Sequence, residues 1–161
     1  MRLIPFVGFF AAIASIACGQ VANAGSLDGD TLRNMPIGKP TKFSNLSSFE
    51  AQAICLLEPY QARLYSEDAL AARVNQYLAA NDYAPDEGHF ALVLVGRQAI
   101  EIAAFDRSRK LDVLAKHKVS SPVAEMLPKG FAPHDCASGQ SAAFLKIEIR
   151  GRTYVLLGET R

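Results

Sequence analysis

The sequence predicts an α+β domain in which two N-terminal helices pack on an antiparallel sheet built from two β-hairpins. Three observations carry that expectation. Leu70, Val74, Tyr77 and Leu78 recur at the spacing that places side chains on one face of a helix. Phe90 to Val95 and Ala99 to Phe105 are apolar runs joined at Gly96-Arg97, the pattern of a hairpin with a covered face. Near the C-terminus, Leu145, Ile147 and Ile149 alternate with Lys146 and Glu148, the period of a strand. Helices first and hairpins afterwards is an α+β order.

The chain opens on Met1-Arg2-Leu3 and runs through an apolar stretch from Ile4 to Ala17, interrupted by Pro5, Gly8 and Ser15. Val21-Ala22-Asn23-Ala24 then offers a small-x-small exit. A basic start, a short apolar core and small residues at the exit are the parts of a secretory signal peptide. A membrane span needs about 20 apolar residues, and this run is shorter, so residues 1–24 are expected to be a signal peptide cut after Ala24. Ser15-Ile16-Ala17-Cys18 also resembles the lipobox of bacterial lipoproteins, although that motif usually has Leu, Val or Ile where Ser15 stands. The expected location is the periplasm. Lipidation at Cys18 would make the protein a membrane-anchored lipoprotein instead.

Residues 25–45 are rich in Gly, Pro, Asn, Asp and Thr and read as a flexible N-terminal arm. The remainder, 46–161, has room for a single α+β domain. Ser47-Ser48-Phe49-Glu50 has the spacing of a capping box, followed by Phe49, Ala53, Leu57 and Tyr60 on one helical face, with Pro59 closing that first helix. The second helix is expected from Ser66, with Glu67 and Asp68 in its first turn, to Asn81. Asp106 to Lys118 is highly charged and fits either a solvated helix or a long loop. Ser121-Pro122 starts a short helix stopped by Pro128-Lys129-Gly130, and Arg150-Gly151-Arg152 turns the last strand back on itself.

Seventeen Lys and Arg residues against sixteen Asp and Glu give a net charge of +1. With no basic stripe, nucleic acid is not an expected partner. His89, His117 and His134 fall in three separate segments, so no metal or other cofactor is expected. Once Cys18 is assigned to the leader, Cys55 and Cys136 remain, an even number that suggests one disulfide in an oxidising compartment. A buried free thiol and a catalytic nucleophile are the alternatives.

Between the short helix and the last hairpin lies Phe131-Ala132-Pro133-His134-Asp135-Cys136-Ala137-Ser138-Gly139, which reads as a rigid loop tip. Preorganising such a loop lowers the entropy cost of inserting it into a cleft. Pro133-His134-Asp135-Cys136 resembles the loop of the inhibitor of vertebrate lysozyme (Ivy) family, whose signature is Cys-x-Pro-His-Asp-Cys. That family comprises small periplasmic α+β domains whose protruding loop places a histidine in a lysozyme active site. Here Phe131 stands where the family has its first cysteine, so the family's small disulfide ring cannot form. The resemblance spans the loop and the strand after it. It implies that Pro133, His134 and Asp135 contact a lysozyme or other peptidoglycan hydrolase, with His134 hydrogen-bonded between the two catalytic carboxylates. Asp135 would orient the imidazole.

Two other readings fit the same chain. A periplasmic immunity protein against a wall-degrading toxin needs the same export, stability and contact surface. Gly88-His89-Phe90-Ala91-Leu92-Val93-Leu94-Val95-Gly96 resembles the histidine hairpin of NlpC/P60-type cysteine peptidases, which would pair His89 with Cys136. Such enzymes carry their cysteine at a helix N-terminus. Cys55 falls within the expected first helix and Cys136 precedes a strand, so neither position suits a nucleophile.

Overall fold

The computed structural model describes residues 27–161, so the expected signal peptide and Cys18 lie outside the described residues. In chain order the elements are α1 (Gly29–Asn34), β1 (Thr41–Lys42), β2 (Ala53–Leu57), α2 (Ala69–Ala80), β3 (His89–Val95) and β4 (Ile100–Asp106). Then follow β5 (Asp112–Val113), α3 (Ser121–Glu125), β6 (Phe131–Pro133), β7 (Cys136–Ser138), β8 (Ala142–Ile149) and β9 (Arg152–Thr160). Phe43–Asn45 and Lys116–Lys118 form single 3-10 turns. The result is a mixture of helices and mostly antiparallel sheet in which strand predominates.

The strands form two sheets. The first has the order β1-β8-β9-β5, with β6 also on β9, and its β5–β9 pair is parallel. The second has the order β4-β3-β2-β7 and is antiparallel throughout. Side-chain alternation along each strand explains how they stack. Ile54, Leu56, Phe90, Leu92 and Leu94 of the second sheet share one apolar core with Ala142, Phe144, Val155 and Leu157 of the first. The intervening residues of β2 and β3, including Cys55, Leu57, Ala91 and Val93, face Ala71, Val74 and Leu78 of α2. On the far side, Leu145, Ile147 and Leu156 of the first sheet meet Val123 of α3 and Phe131. The layers therefore run α2, second sheet, first sheet, α3. Phe90 and Phe105 stack at 5.2 Å inside the shared core.

Both expected hairpins form, as β3–β4 and β8–β9. They belong to different sheets rather than to one, because each sheet has an apolar face that the other covers. The second expected helix is α2. Asp68 is its N-cap, accepting from the Ala71 amide at 2.8 Å, and Asn81 ends it. α3 has Pro122 in its first turn.

The expected first helix over Ser47 to Glu58 does not form. Ser47 accepts from the Phe49 amide at 3.1 Å in a local turn, and Ala53–Leu57 is a strand buried at every position. Both faces of β2 are covered, one by the opposite sheet and the other by α2, so its five residues are uniformly apolar and show no alternation. Residues 27–45 are likewise not a loose arm. Leu27, Leu32, Met35 and Phe43 are all buried in the intersheet core, and Asp28 caps α1 through the Thr31 amide. The charged stretch after β4 is neither a solvated helix nor an unpaired loop. It contains β5 and a 3-10 turn, with Leu111 and Val113 in the core.

Candidate histidine link between the two sheets

β6 lies on β9 of the first sheet, and β7 lies on β2 of the second. Only His134 and Asp135 join them. The His134 amide donates to the Leu157 carbonyl at 3.0 Å, holding the link to the first sheet. One residue later the Leu56 amide donates to the Asp135 carbonyl at 2.7 Å, holding it to the second. The Asp135 carboxylate accepts from the Lys116 amide at 3.1 Å and so also holds the 3-10 turn against the link.

Cys55 and Cys136 form a disulfide at the next step along β7. They face each other directly across β2 and β7, with Cα atoms 4.0 Å apart. Because Leu56 and Asp135 are the hydrogen-bonded pair, the cysteines occupy the neighbouring non-hydrogen-bonded position, where side chains approach most closely. The bridge closes a sequence separation of 81 residues. Cys55 and Cys136 are thus both consumed as a cross-strand tie, and neither presents a free thiol.

Two glycines make the link's flanks possible. A Cβ on Gly158 would lie 2.3 Å from the Ala132 carbonyl oxygen and 2.6 Å from the Phe131 ring, so β6 reaches β9 only over a glycine. A Cβ on Gly139 would lie 1.7 Å from the Ala51 carbonyl oxygen, where the chain leaves β7. Phe131, at the position of the Ivy family's first cysteine, is buried beneath α3.

Pro133, His134 and Asp135 do not form the protruding tip expected from the sequence. Pro133 pairs with Gly158 in β6, His134 is half-buried and Asp135 is exposed. A two-residue connection bonded to both sheets has no length with which to extend. His134 instead lines a cleft of about 390 Å³ together with Leu56, Glu58, Tyr65, Lys116 and His117. Within this cleft the Glu58 carboxylate is paired with Lys118 and approaches His117 Nε2 at 3.3 Å. Tyr65 is 76% exposed. Among the described residues the His134 ring has no hydrogen bond or ion pair, so its nitrogens stay open to an incoming group.

His89 is constrained in the opposite way. Its Nδ1 lies 2.7 and 2.9 Å from the two Asp86 carboxylate oxygens, and its Nε2 lies 2.7 Å from Asp106. The hydrogen bond to Asp86 raises the His89 pKa most, with Asp106 adding to it. The same bond holds the Asp86 carboxyl below its ordinary range. With both ring nitrogens engaged, His89 pins the open end of the β3–β4 hairpin.

Sequence reasoning missed the charged groups that the fold buries. Asp112 is 2% exposed and receives Arg107 Nε at 2.7 Å, Arg107 Nη2 at 3.1 Å and Arg152 Nη1. Burial alone would raise its pKa. Hydrogen bonds from Arg107, the Val113 amide and Arg152 outweigh that and hold it low. Lys146, also buried, donates to the Arg33 carbonyl at 2.6 Å, and burial lowers its pKa. Arg107 is only five residues from Asp112, but Arg152 and Arg33 lie 40 and 113 residues from the groups they meet, so no local pattern marks the burial of Asp112 and Lys146. Among the described residues no group of three or more His, Cys, Asp and Glu side chains is placed to hold a metal ion. No helix among them is long and apolar enough to cross a membrane.

Compared with family models, curated proteins and solved structures, the chain matches none.

Proposed function

We propose that this is an exported, periplasmic protein that binds and inhibits a lysozyme or another peptidoglycan hydrolase through the surface formed by Pro133, His134 and Asp135. The observation that carries the reading is the division of labour at the link. Its backbone is bonded to two sheets and tied by a disulfide, while the His134 ring is uncommitted. A contact residue of this kind loses little entropy on binding. A glycosidase cleft presents one ionised carboxylate and one protonated carboxylic acid. An imidazole can donate to the first in a charge-assisted bond and accept from the second. The resemblance of Pro133-His134-Asp135-Cys136 to the Ivy loop supplies the target class. Because His134 lines a cleft and does not protrude, the target must reach into that cleft to meet it. Export is supported by the signal-peptide pattern of residues 1–24 and by the disulfide.

The test is a panel of lysozymes and wall hydrolases assayed on peptidoglycan with and without the intact protein. Stoichiometric inhibition of at least one member is expected. If inhibition falls only on a wall-degrading toxin, the immunity-protein reading replaces that of a lysozyme inhibitor. If no enzyme in the panel is inhibited, the proposal fails.

A further inference from the structure

Sheet ends are usually short or blocked, because their unpaired backbone groups recruit other strands. The terminal strands β1, β5 and β7 have two, two and three residues. β4 is different. It ends the second sheet with seven residues, Ile-Glu-Ile-Ala-Ala-Phe-Asp, in unbroken register with β3 from Ile100 to Asp106. It contains no proline, lysine or arginine and no bulge.

The direction of its free groups follows from the ladder. Gly96 donates to Ala99, and Arg107 donates to Gly88, so these are hydrogen-bonded pairs and alternate pairs between them are also bonded. Glu101, Ala103 and Phe105 therefore turn their amides and carbonyls toward β3. Ile102 and Ala104 turn theirs away from the sheet, and Ile100 and Asp106 continue that row at its ends. Among the described residues no backbone group pairs with this row.

A groove of about 580 Å³ runs beside the same strand, between it and Leu27, Asp28 and Gly29. Its charged lining residues are Asp28 and Glu101, both acidic, and the rest of the lining is apolar, small or Tyr77. Arg73, which lines the hollow around Ile100 on the α2 side, already donates to the Gly96 and Arg97 carbonyls. We infer that the β4 edge is a second binding surface, which takes an extended, basic segment of a partner protein as an added strand. Main-chain bonds to Ile102 and Ala104 supply affinity, and cations facing Asp28 and Glu101 select the sequence. Like charge on the two edges disfavours pairing between two copies of this chain. The inference rests on the sheet edge and is independent of the target assigned to His134.

Amide hydrogen exchange of the purified protein, measured residue by residue, tests it. The probes are a short peptide alternating lysine with valine and its counterpart with glutamate for lysine. The basic peptide should slow exchange at Ile102 and Ala104 by roughly tenfold or more while leaving Ala103 unchanged. Ala104→Pro removes an outward donor at an edge position that tolerates proline and should abolish the effect. Ala104→Ser, which keeps the amide, should retain it, and Glu101→Lys should weaken it. The inference is overturned if the basic peptide slows nothing, or if the acidic peptide acts equally. It is also overturned if the amides slow with protein concentration alone, which marks self-pairing.

Discussion

The two histidines that stand out in the sequence occupy opposite kinds of site. At His89 the side chain is committed, with each ring nitrogen on a different carboxylate. At His134 the backbone is committed to both sheets and the ring is open. The first arrangement closes a hairpin, and the second presents a functional group. A histidine suited to recognition is one whose chain is fixed and whose ring is not. Breaking each constraint should therefore have different consequences.

The largest effect is expected from removing the disulfide. A Cys55→Ala, Cys136→Ala variant should lose about 4 to 5 kcal/mol of stability from chain entropy, measured by denaturant unfolding. Amide exchange at His134 and Leu56 should accelerate strongly while the His89 end changes little. Equal acceleration at both ends would show that the disulfide does not act locally on the link. Next comes Asp112, which holds Arg107, whose Nη1 in turn donates to the Glu87 carbonyl beside the His89 end. Asp112→Ala should cost about 3 kcal/mol, because it leaves two guanidiniums without their buried anion. It should loosen Glu87 to His89 more than His134. Since the folded pKa of Asp112 is lowered, its contribution is present above the ordinary carboxylate pKa of about 3.9. That contribution disappears as pH falls through the lowered folded value.

The smallest effect belongs to His89 itself. Its pKa is raised, so the contribution of its two carboxylate contacts is complete below the ordinary histidine value of about 6.5. It is lost as pH rises through the raised folded value. NMR titration should place His89 above the ordinary value, and His89→Ala should remove that pH dependence of stability. A His89 titrating at or below the ordinary value would contradict the clamp.

How much of this was legible in the sequence depended on what covers each strand. α2 has an exposed face and so shows its period. β8 is buried from Ala142 to Ile147 on both faces, and its alternation is visible only because Lys146, whose buried ammonium donates to the Arg33 carbonyl, and exposed Glu148 interrupt the apolar run. β2 is covered on both sides, and a uniformly apolar run of five cannot be told from a helix by periodicity. The spacing of Phe49, Ala53 and Leu57 then favoured the wrong element. In residues 27–45 the hydrophobes are few, but Leu27, Leu32, Met35 and Phe43 are all buried, and sparse anchors leave no pattern. At the candidate site, counting cysteines was enough to find the bridge. The shortness of the link was not readable. It depends on β6 and β7 joining different sheets, through Gly158 and Gly139 and partners distant in the chain.

The central claim, that an open ring on a fixed backbone makes His134 the contact residue, is tested most directly by comparing two variants in one inhibition assay. His134→Ala and His89→Ala would be titrated, beside the intact protein, against the hydrolase that it inhibits most strongly. The account predicts at least a roughly tenfold loss of inhibition for His134→Ala, the scale of a lost charge-assisted hydrogen bond, with an unchanged melting temperature. His89→Ala should inhibit as the intact protein does. Undiminished inhibition by His134→Ala, or an equal loss in both variants, would contradict it.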